Sequence, residues 1–289
     1  MDRVTVHAAL VVALGLVALC LISCGSSEPS SAANTPQSAA AIEQYRSYLS
    51  ESAADLVVRV RKLAAQIKAG ELEEAQSSYA AARVPYGQLK PAAESLFGSL
   101  ASRIDANAGD VPAGELTGLH RIEAGLWEDK TAAMASVSEQ LLADAKKLQR
   151  RLKTADLRRT QIIDSANEVL EEASATAAHG GKDPQSRIDL VDVGANVEGV
   201  EAAFDAVKPP IEGTDSDLTA EIEARFKGAY TELRNFGRVA RRPDQLHPET
   251  PGSTFVLYGE RTQTEYNELA GKIDALSEGI SQGSELFAP

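Results

Sequence analysis

The chain of 289 residues is acidic, with 42 Asp and Glu against 29 Lys and Arg, and its formal net charge is −13 at pH 7. This charge argues against nucleic acid as a partner, because binding a phosphate backbone needs clustered positive charge, and it is compatible with cations. The two cysteines, Cys20 and Cys24, lie near the N-terminus, so the remainder offers neither a disulfide nor a thiolate ligand. A metal bound there would be held by oxygen and nitrogen.

Residues 1–23 are predicted to be a lipoprotein signal peptide. The apolar run from Ala8 to Ile22 is shorter than the roughly 20 residues that a membrane-spanning helix needs. It ends in the tetrad LISC at 21–24, which resembles the bacterial lipobox, in which the cysteine is lipidated and becomes the mature N-terminus. We therefore expect a lipidated Cys24 that anchors the protein to the extracytoplasmic face of the cell membrane. Plain secretion with an unmodified Cys24 is the alternative.

A flexible tether is predicted over residues 24–41, because Ser, Ala and Pro there bury too little apolar surface to offset the entropy of ordering. Apolar residues then recur at steps of three and four from Ile42 to Ile67, and Gly70 follows where a helix C-terminal cap would lie. This spacing predicts a long amphipathic helix.

Further helices are predicted along the rest of the chain. One spans Glu71–Arg83 and is stopped by Pro85, the next spans about Tyr86–Ile104, and a third starts near Pro112. The later predicted helices span about Thr131–Lys153, Asp156–Ala178, Asp189–Val207, Asp217–Asn235 and Thr262–Gln282.

The predicted fold class is all-α. The only candidate strand, Ser253–Tyr258, is short and isolated. This number of helices exceeds one four-helix bundle, so we expect two stacked or helix-sharing four-helix bundles, with halves at about 42–153 and 156–289.

The segment GLHRIEAGLW contains a candidate pair of metal ligands, because His120 and Glu123 are three residues apart and lie side by side on a helix surface. Helix bundles build metal sites from such pairs on facing helices. The spacing alone leaves a second interpretation open, in which both side chains belong to the solvated face of an amphipathic helix.

Three segments in chain order carry a resemblance to a known family. They are Ala82–Ser95 with the following RIDAN at 103–107, Thr117–Trp127 with its His-x-x-Glu, and Asp189–Glu212. Together they resemble the imelysin-like (peptidase-like) proteins, and within them the EfeO/EfeM branch associated with bacterial iron uptake.

The resemblance implies a two-bundle helical fold with a metal-binding cleft between helices. It also implies a periplasmic or surface-anchored lipoprotein that captures iron and passes it to a membrane permease, with a peroxidase-like protein as a second candidate partner. Iron, as Fe²⁺ or Fe³⁺, is then the bound cargo. Zinc and manganese are alternatives, because a histidine with several carboxylates suits all of these ions.

The side chains that the resemblance implies as metal ligands are His120, Glu123, Asp105 and Glu94. Glu94 enters this set because the family usually has acidic residues where this chain has Gly87 and Lys90, so a carboxylate is expected from one turn further along.

Two other functions are compatible with the sequence. In the first, a surface lipoprotein keeps the fold with a degenerate metal site, as Gly87 and Lys90 indicate, and has a structural or other ligand-binding role. In the second, the protein is a metallopeptidase. The His-Glu-x-x-His mechanism needs a second histidine four residues after His120, and that position is Ala124. We therefore expect a binding protein and not an enzyme.

Overall fold

The computed structural model of the protein describes residues 35–112, 114–237 and 255–287. The predicted signal peptide, Cys24 and most of the predicted tether lie outside these residues. The described residues form eight α-helices, a short 3₁₀ helix (Thr131–Met134) and an isolated antiparallel bridge between Gly237 and Phe255, so the all-α prediction is confirmed. The helices are α1 (Pro36–Ala69), α2 (Leu72–Asp105), α3 (Gly118–Trp127), α4 (Ala135–Leu152), α5 (Arg159–His179), α6 (Asp189–Thr214), α7 (Ser216–Asn235) and α8 (Gln263–Glu285).

Helix α1 begins earlier than predicted, so residues 36–41 belong to the helix and not to a tether. Thr35 caps it, since its hydroxyl accepts a hydrogen bond from the Ser38 amide at 3.1 Å, and Pro36 takes the first helical position, which needs no amide donor. Ala41 is buried, so this first turn also packs. The predicted C-terminal cap is confirmed, because Gly70 adopts φ 75°.

Helix α2 corrects the prediction that Pro85 separates two helices. It runs through both Pro85 and Pro91, and its one non-helical residue is Phe97. A proline inside a helix loses one backbone hydrogen bond. Here both prolines are buried where α2 packs against α1, α5 and α6, and this packing offsets the loss. Helix α6 likewise continues beyond Val207, through the Pro pair at 209–210.

Helix α3 begins at Gly118 rather than near Pro112. Gly118 has φ 72°, and a Cβ there would collide with the backbone carbonyls of Arg103 and Ile104, so the position requires glycine. The Thr117 hydroxyl also donates to the Arg103 carbonyl at 3.0 Å. These contacts hold the start of α3 against the end of α2.

The helices pack as two groups that share contacts through α2 and α6, as expected for helix-sharing bundles. Helices α1 and α3 each pack on α2 and α4, and α6 and α8 each pack on α5 and α7. Between the two groups, α1 and α2 both contact α6, and α2 also contacts α5. Two glycines allow the close approach of α2 and α6: a Cβ on Gly87 would lie 2.7 Å from Ala195 Cβ, and one on Gly199 would lie 2.5 Å from the Gln88 carbonyl oxygen. Among the described residues, no helix is both long and apolar enough to cross a membrane.

Candidate metal centre

Three acidic or imidazole side chains converge where α3 meets the loop between α5 and α6. His120 and Glu123 come from α3, and Asp183 comes from the loop. All three are buried, and one ligand atom from each lies within 4.8 Å of the others. One imidazole nitrogen and two carboxylates are a donor set suited to Fe, Mn or Zn ions. We call these three residues the HED cluster.

The HED cluster contains two buried atoms that have no hydrogen-bond partner among the described residues. His120 Nδ1 lies 3.7 Å from Asp183 Oδ1 and 4.0 Å from Glu123 Oε2. Within the described part of the chain, neither His120 Nδ1 nor Asp183 Oδ2 has a hydrogen-bond partner. Buried polar atoms almost always have one. The HED cluster therefore combines unused buried polar atoms with three potential ligand atoms that lie within 4.8 Å of one another, as a metal ion would require.

Backbone and side-chain donors of the loop orient Glu123. Its Oε1 accepts hydrogen bonds from the Ser186 amide at 2.8 Å, the Ser186 hydroxyl at 2.7 Å and the Gln185 amide at 3.2 Å. Because these donors occupy Oε1, Oε2 is the oxygen left on the side of His120.

Asp183 is held by a hydrogen bond from the hydroxyl of Tyr79 to Oδ1, at 2.7 Å. Trp127 packs edge-on against the Tyr79 ring, with centroids 5.7 Å apart, so the only tryptophan is a packing residue. Burial and the charge of Asp192 raise the pKa of Asp183 well above its ordinary value, and Arg83 opposes the shift. A cation bound at the HED cluster would also lower the pKa of Asp183.

A buried arginine supports the HED cluster from α2. Arg83 forms ion pairs with Asp105 at the end of α2 and with Asp192 on α6, and its Nε lies 2.9 Å from Asp192 Oδ1. The same Nε is 4.0 Å from Asp183 Oδ1. Burial opposes ionisation of Asp105, but Arg83 and His120 hold the pKa of Asp105 below its ordinary value.

Asp105, predicted as a ligand, lies against the other face of the histidine. Its Oδ1 is 3.4 Å from His120 Nε2, whereas the HED cluster faces Nδ1. The structure thus brings Asp105 to His120, and Asp183 supplies the carboxylate on the Nδ1 side.

Glu94 is not brought to the HED cluster. Its carboxylate is 3.7 Å from the Lys90 ammonium, which lies 2.6 Å from Glu172 and is itself buried. Lys182 also pairs with Glu172, and burial together with Lys90 lowers the pKa of Lys182 to about 8. These four residues, the KE cluster, line a cleft of about 580 Å³ that Asp105 also borders.

Sequence reasoning missed Asp183, Arg83 and Asp192. Asp183 follows a Gly-Gly-Lys breaker 60 residues after Glu123, and no spacing rule joins the two. Asp192 offered a signal, since it is a lone charge in the otherwise apolar LVDVGANV, and a charge on a buried helix is rarely unpaired.

The comparisons with known proteins agree with this architecture. The sequence profile of the imelysin family (peptidase family M75) matches residues 41–282. The iron uptake system component EfeM of Bacillus subtilis (strain 168) is 32% identical over 248 residues, which is 85% of this chain and 61% of that protein. The iron uptake system component EfeO of Escherichia coli (strain K12) is 32% identical over 247 residues, which is 84% of this chain and 62% of that protein.

This chain therefore spans less than two thirds of the length of these relatives. The profile match nevertheless covers nearly all of the described helices, and the helical architecture with the His-x-x-Glu segment on a buried helix accompanies it. The chain belongs to the imelysin family.

Proposed function

We propose that this protein is an extracytoplasmic iron-binding component of an iron uptake system. It binds one iron ion at the HED cluster, through His120 Nδ1, a Glu123 oxygen and an Asp183 oxygen, and passes the ion to a membrane permease. The relatives named as iron uptake system components support this role.

The observation that carries the proposal is a group of three buried potential ligands, two atoms of which have no hydrogen-bond partner among the described residues. His120 Nδ1 and Asp183 Oδ2 lie without hydrogen-bond partners among the described residues, on side chains that are 5% and 0% exposed. Leaving a buried polar atom unpaired costs roughly 1–3 kcal/mol, and an ion coordinated by His120 Nδ1 and Asp183 Oδ2 would satisfy both atoms. The loop donors to Glu123 meanwhile fix the third side chain without using the oxygen nearest His120.

The small number of protein ligands would also allow the bound ion to be released. Three protein ligands leave coordination positions for water or for a group of the receiving permease, which transfer of a cargo ion requires. The divalent affinity order favours Zn²⁺ over Fe²⁺ at such a site, so supply and oxidation state would select iron.

Metal binding is tested on the chain from Gly25 onward, purified metal-free and incubated with Fe²⁺, Fe³⁺, Zn²⁺ or Mn²⁺. Bound metal is measured per chain after gel filtration. We expect about one ion for the wild type and none for His120→Ala or Glu123→Ala, because each variant removes a ligand. His179→Ala is the matched control, since His179 is exposed at the end of α5. Equal metal content in wild type and ligand variants would overturn the proposal.

Transport is tested in cells that lack the gene, by uptake of radiolabelled iron. Wild-type protein is expected to restore uptake, and Glu123→Ala is expected not to, at equal protein level. If Glu123→Ala restored iron uptake, transport would not depend on the HED cluster. Recovery of a permease or a peroxidase-like protein by crosslinking would identify the partners.

Membrane anchoring through a lipid on Cys24 is part of the same proposal. Cys24→Ser is expected to move the protein from the membrane fraction to the soluble fraction, while Cys20→Ser is expected to leave it membrane-bound. A Cys24→Ser protein that stays in the membrane fraction would contradict the lipid anchor.

The surroundings of Gly87 and Lys90 support a working site over a degenerate one. Gly87 packs α2 against α6, and Lys90 pairs with Glu172, so neither residue belongs to the HED cluster. A peptidase mechanism of the His-Glu-x-x-His type gains no support, because Ala124 stands where the second histidine would be. We accordingly propose a binding protein and not an enzyme.

A further inference from the structure

We propose that a group of exposed cations at the end of α4 rests on anionic phospholipid headgroups and so orients the protein on the membrane. We call these residues the α4 patch, and they are Lys147, Arg150, Arg151, Lys153 and Arg158. The inference rests on the proposed function in one respect, since the lipid on Cys24 is what would bring the α4 patch to the membrane.

Positive charge is concentrated in one short stretch of this acidic chain. Residues 146–159 hold seven of its 29 Lys and Arg and a single acid, Asp156, whereas the whole chain has a net charge of −13. Leu148 and Leu152 are buried on the inner side of α4, so the helical period directs the lysines and arginines around them towards solvent. A positive surface of this density is expected to attract an anionic partner.

The protein itself does not neutralise the α4 patch. Within the part of the chain that the structure describes, Lys147, Arg150 and Lys153 form no ion pair, and Arg158 pairs with the exposed Asp156 alone, at 3.8 Å. Cations stabilise the C-terminal end of a helix, but this effect falls off within the last turn. It accounts for the two arginines of that turn and not for the cations beyond the helix.

The α4 patch lies at the end of the molecule from which the N-terminal segment leaves. Arg46 of α1 donates to the carbonyl of Ala155, in the patch region just after α4, at 2.9 Å. Helix α1 begins at Pro36, about 15 Å from Arg46 at the helical rise, and the segment 24–35 can span at most about 40 Å. A lipid on Cys24 would therefore tie this end of the molecule to the membrane.

The chemistry of the α4 patch fits a lipid surface better than an acidic protein. Specific protein interfaces have an apolar core, whereas attraction to anionic lipid needs charge alone. Among the described residues, the exposed large apolar side chains are Val58 and Leu286, and neither lies in the α4 patch. Each Lys or Arg close to an anionic lipid surface contributes roughly fivefold in affinity, and a basic patch commonly acts together with a lipid anchor.

The direct test uses the chain from Gly25 onward, which contains every described helix. The protein is mixed with vesicles of phosphatidylcholine alone, or of phosphatidylcholine and phosphatidylglycerol in equal parts, and the bound fraction is measured by sedimentation. We expect binding to the mixed vesicles only, and its loss in high salt, because an acidic protein needs a local positive surface to bind an anionic one. Equal binding to both vesicles, or binding to neither, would overturn the proposal.

A triple variant assigns this binding to the α4 patch. Lys147→Gln combined with Arg150→Gln and Lys153→Gln should weaken binding to the mixed vesicles roughly 100-fold. The matched control removes the same charges from exposed positions in the C-terminal half of α1, by Arg61→Gln, Lys62→Gln and Lys68→Gln. The control should bind nearly as the wild type does. Equal weakening would mean that net charge and not position matters, and would overturn the proposal.

Orientation is tested on the lipid-anchored full chain in mixed vesicles. A fluorophore attached through Thr154→Cys, beside the α4 patch, should transfer energy to headgroup-labelled lipid more strongly than one attached through Ala65→Cys. Both positions are exposed, and Ala65 lies about 28 Å beyond Arg46 along α1. High salt should reduce the difference, because it screens the attraction to the headgroups. Equal transfer from the two positions would overturn the proposed orientation.

Failure of this inference is distinguishable from failure of the lipid anchor. If Cys24→Ser is released from the membrane while the chain from Gly25 onward binds no anionic vesicle, the α4 patch has no membrane role and the anchor stands. If the triple variant alone loses vesicle binding while Cys24→Ser stays in salt-washed membranes, the α4 patch stands and the anchor fails.

Discussion

Helix α2 carries two buried cations that belong to opposite kinds of charge cluster. Arg83 and Lys90 are seven residues, or about two turns, apart, and each is 3% exposed. Around Arg83, the carboxylates of Asp105, Asp192 and Asp183 lie within 4.0 Å of the one guanidinium. Around Lys90, a second lysine matches the two acids of the KE cluster.

The comparison teaches how to recognise a cation site among buried charges. In the KE cluster, both glutamates have an ammonium partner and remain partly exposed to water. In the HED cluster, acids exceed bases and two donor atoms lack partners in the described residues. An excess of buried carboxylates is relieved by a bound cation or by protonation, as the raised pKa of Asp183 indicates, whereas a balanced ion-pair network needs neither.

Replacing one carboxylate in each cluster should show most clearly that the HED cluster binds metal and the KE cluster does not. Asp183→Asn is expected to weaken zinc binding more than about 100-fold, because the variant removes a ligand and not only a supporting residue. Glu172→Gln is the matched change in the KE cluster and should leave zinc affinity unaltered. Isothermal titration of both variants measures this difference. Equal losses would mean that the two clusters bind metal as one unit.

The close packing of α2 against α6 should contribute to the free energy of unfolding of the whole fold. Gly199→Ala would place a Cβ 2.5 Å from the backbone oxygen of Gln88, and such overpacking costs about 1–3 kcal/mol in the free energy of unfolding. Zinc affinity should fall too, because Arg83 and Asp192 bridge the same two helices. Gly271→Ala in α8 is the control, since nothing lies within 4 Å of its added Cβ. Urea unfolding of both variants gives the comparison, and equal stability would contradict the close approach.

Removal of a single loop donor should have a smaller effect on the HED cluster. Ser186→Ala loses the hydroxyl that donates to Glu123 at 2.7 Å while the amide bond remains, so zinc should bind roughly 10-fold more weakly. Ser165→Ala is the control, because that serine is equally buried and donates to the Ile162 carbonyl within α5. If both variants bind zinc equally, the hydroxyl of Ser186 does not orient Glu123.

The smallest change is expected at Lys90. Lys90→Met should alter zinc affinity by less than about twofold and leave the melting temperature nearly unchanged, because Glu94 and Glu172 are partly exposed to water and neither is left as a buried unpaired charge. Lys182 remains to pair with Glu172. Arg83→Met, two turns earlier on the same helix, should by contrast weaken binding, since Asp105 and Asp192 would lose their shared partner. A tenfold change in Lys90→Met would remove the distinction between the clusters.

The helical elements were largely predictable because they depend on local pattern. The apolar spacing from Ile42 to Ile67 and the cap at Gly70 identified α1. The predicted start of α1 was wrong, because the Thr35 cap and Pro36 begin the helix in a segment whose composition resembles a tether. The break predicted at Pro85 was wrong because burial on several sides offsets one missing hydrogen bond, and that burial is a tertiary property.

What the sequence by itself determined is the class of the molecule: an all-α chain, acidic, without cysteines beyond residue 24, and carrying His120 and Glu123 on one helix face. Those properties follow from composition and from the helical period. Only the tertiary structure decided what faces that pair. It brings Asp183 from a distant loop to Nδ1 of His120, turns Asp105 towards the other ring nitrogen, and leaves Glu94 with Lys90. Contacts between residues far apart in the chain depend on how whole helices pack, which a local pattern does not encode.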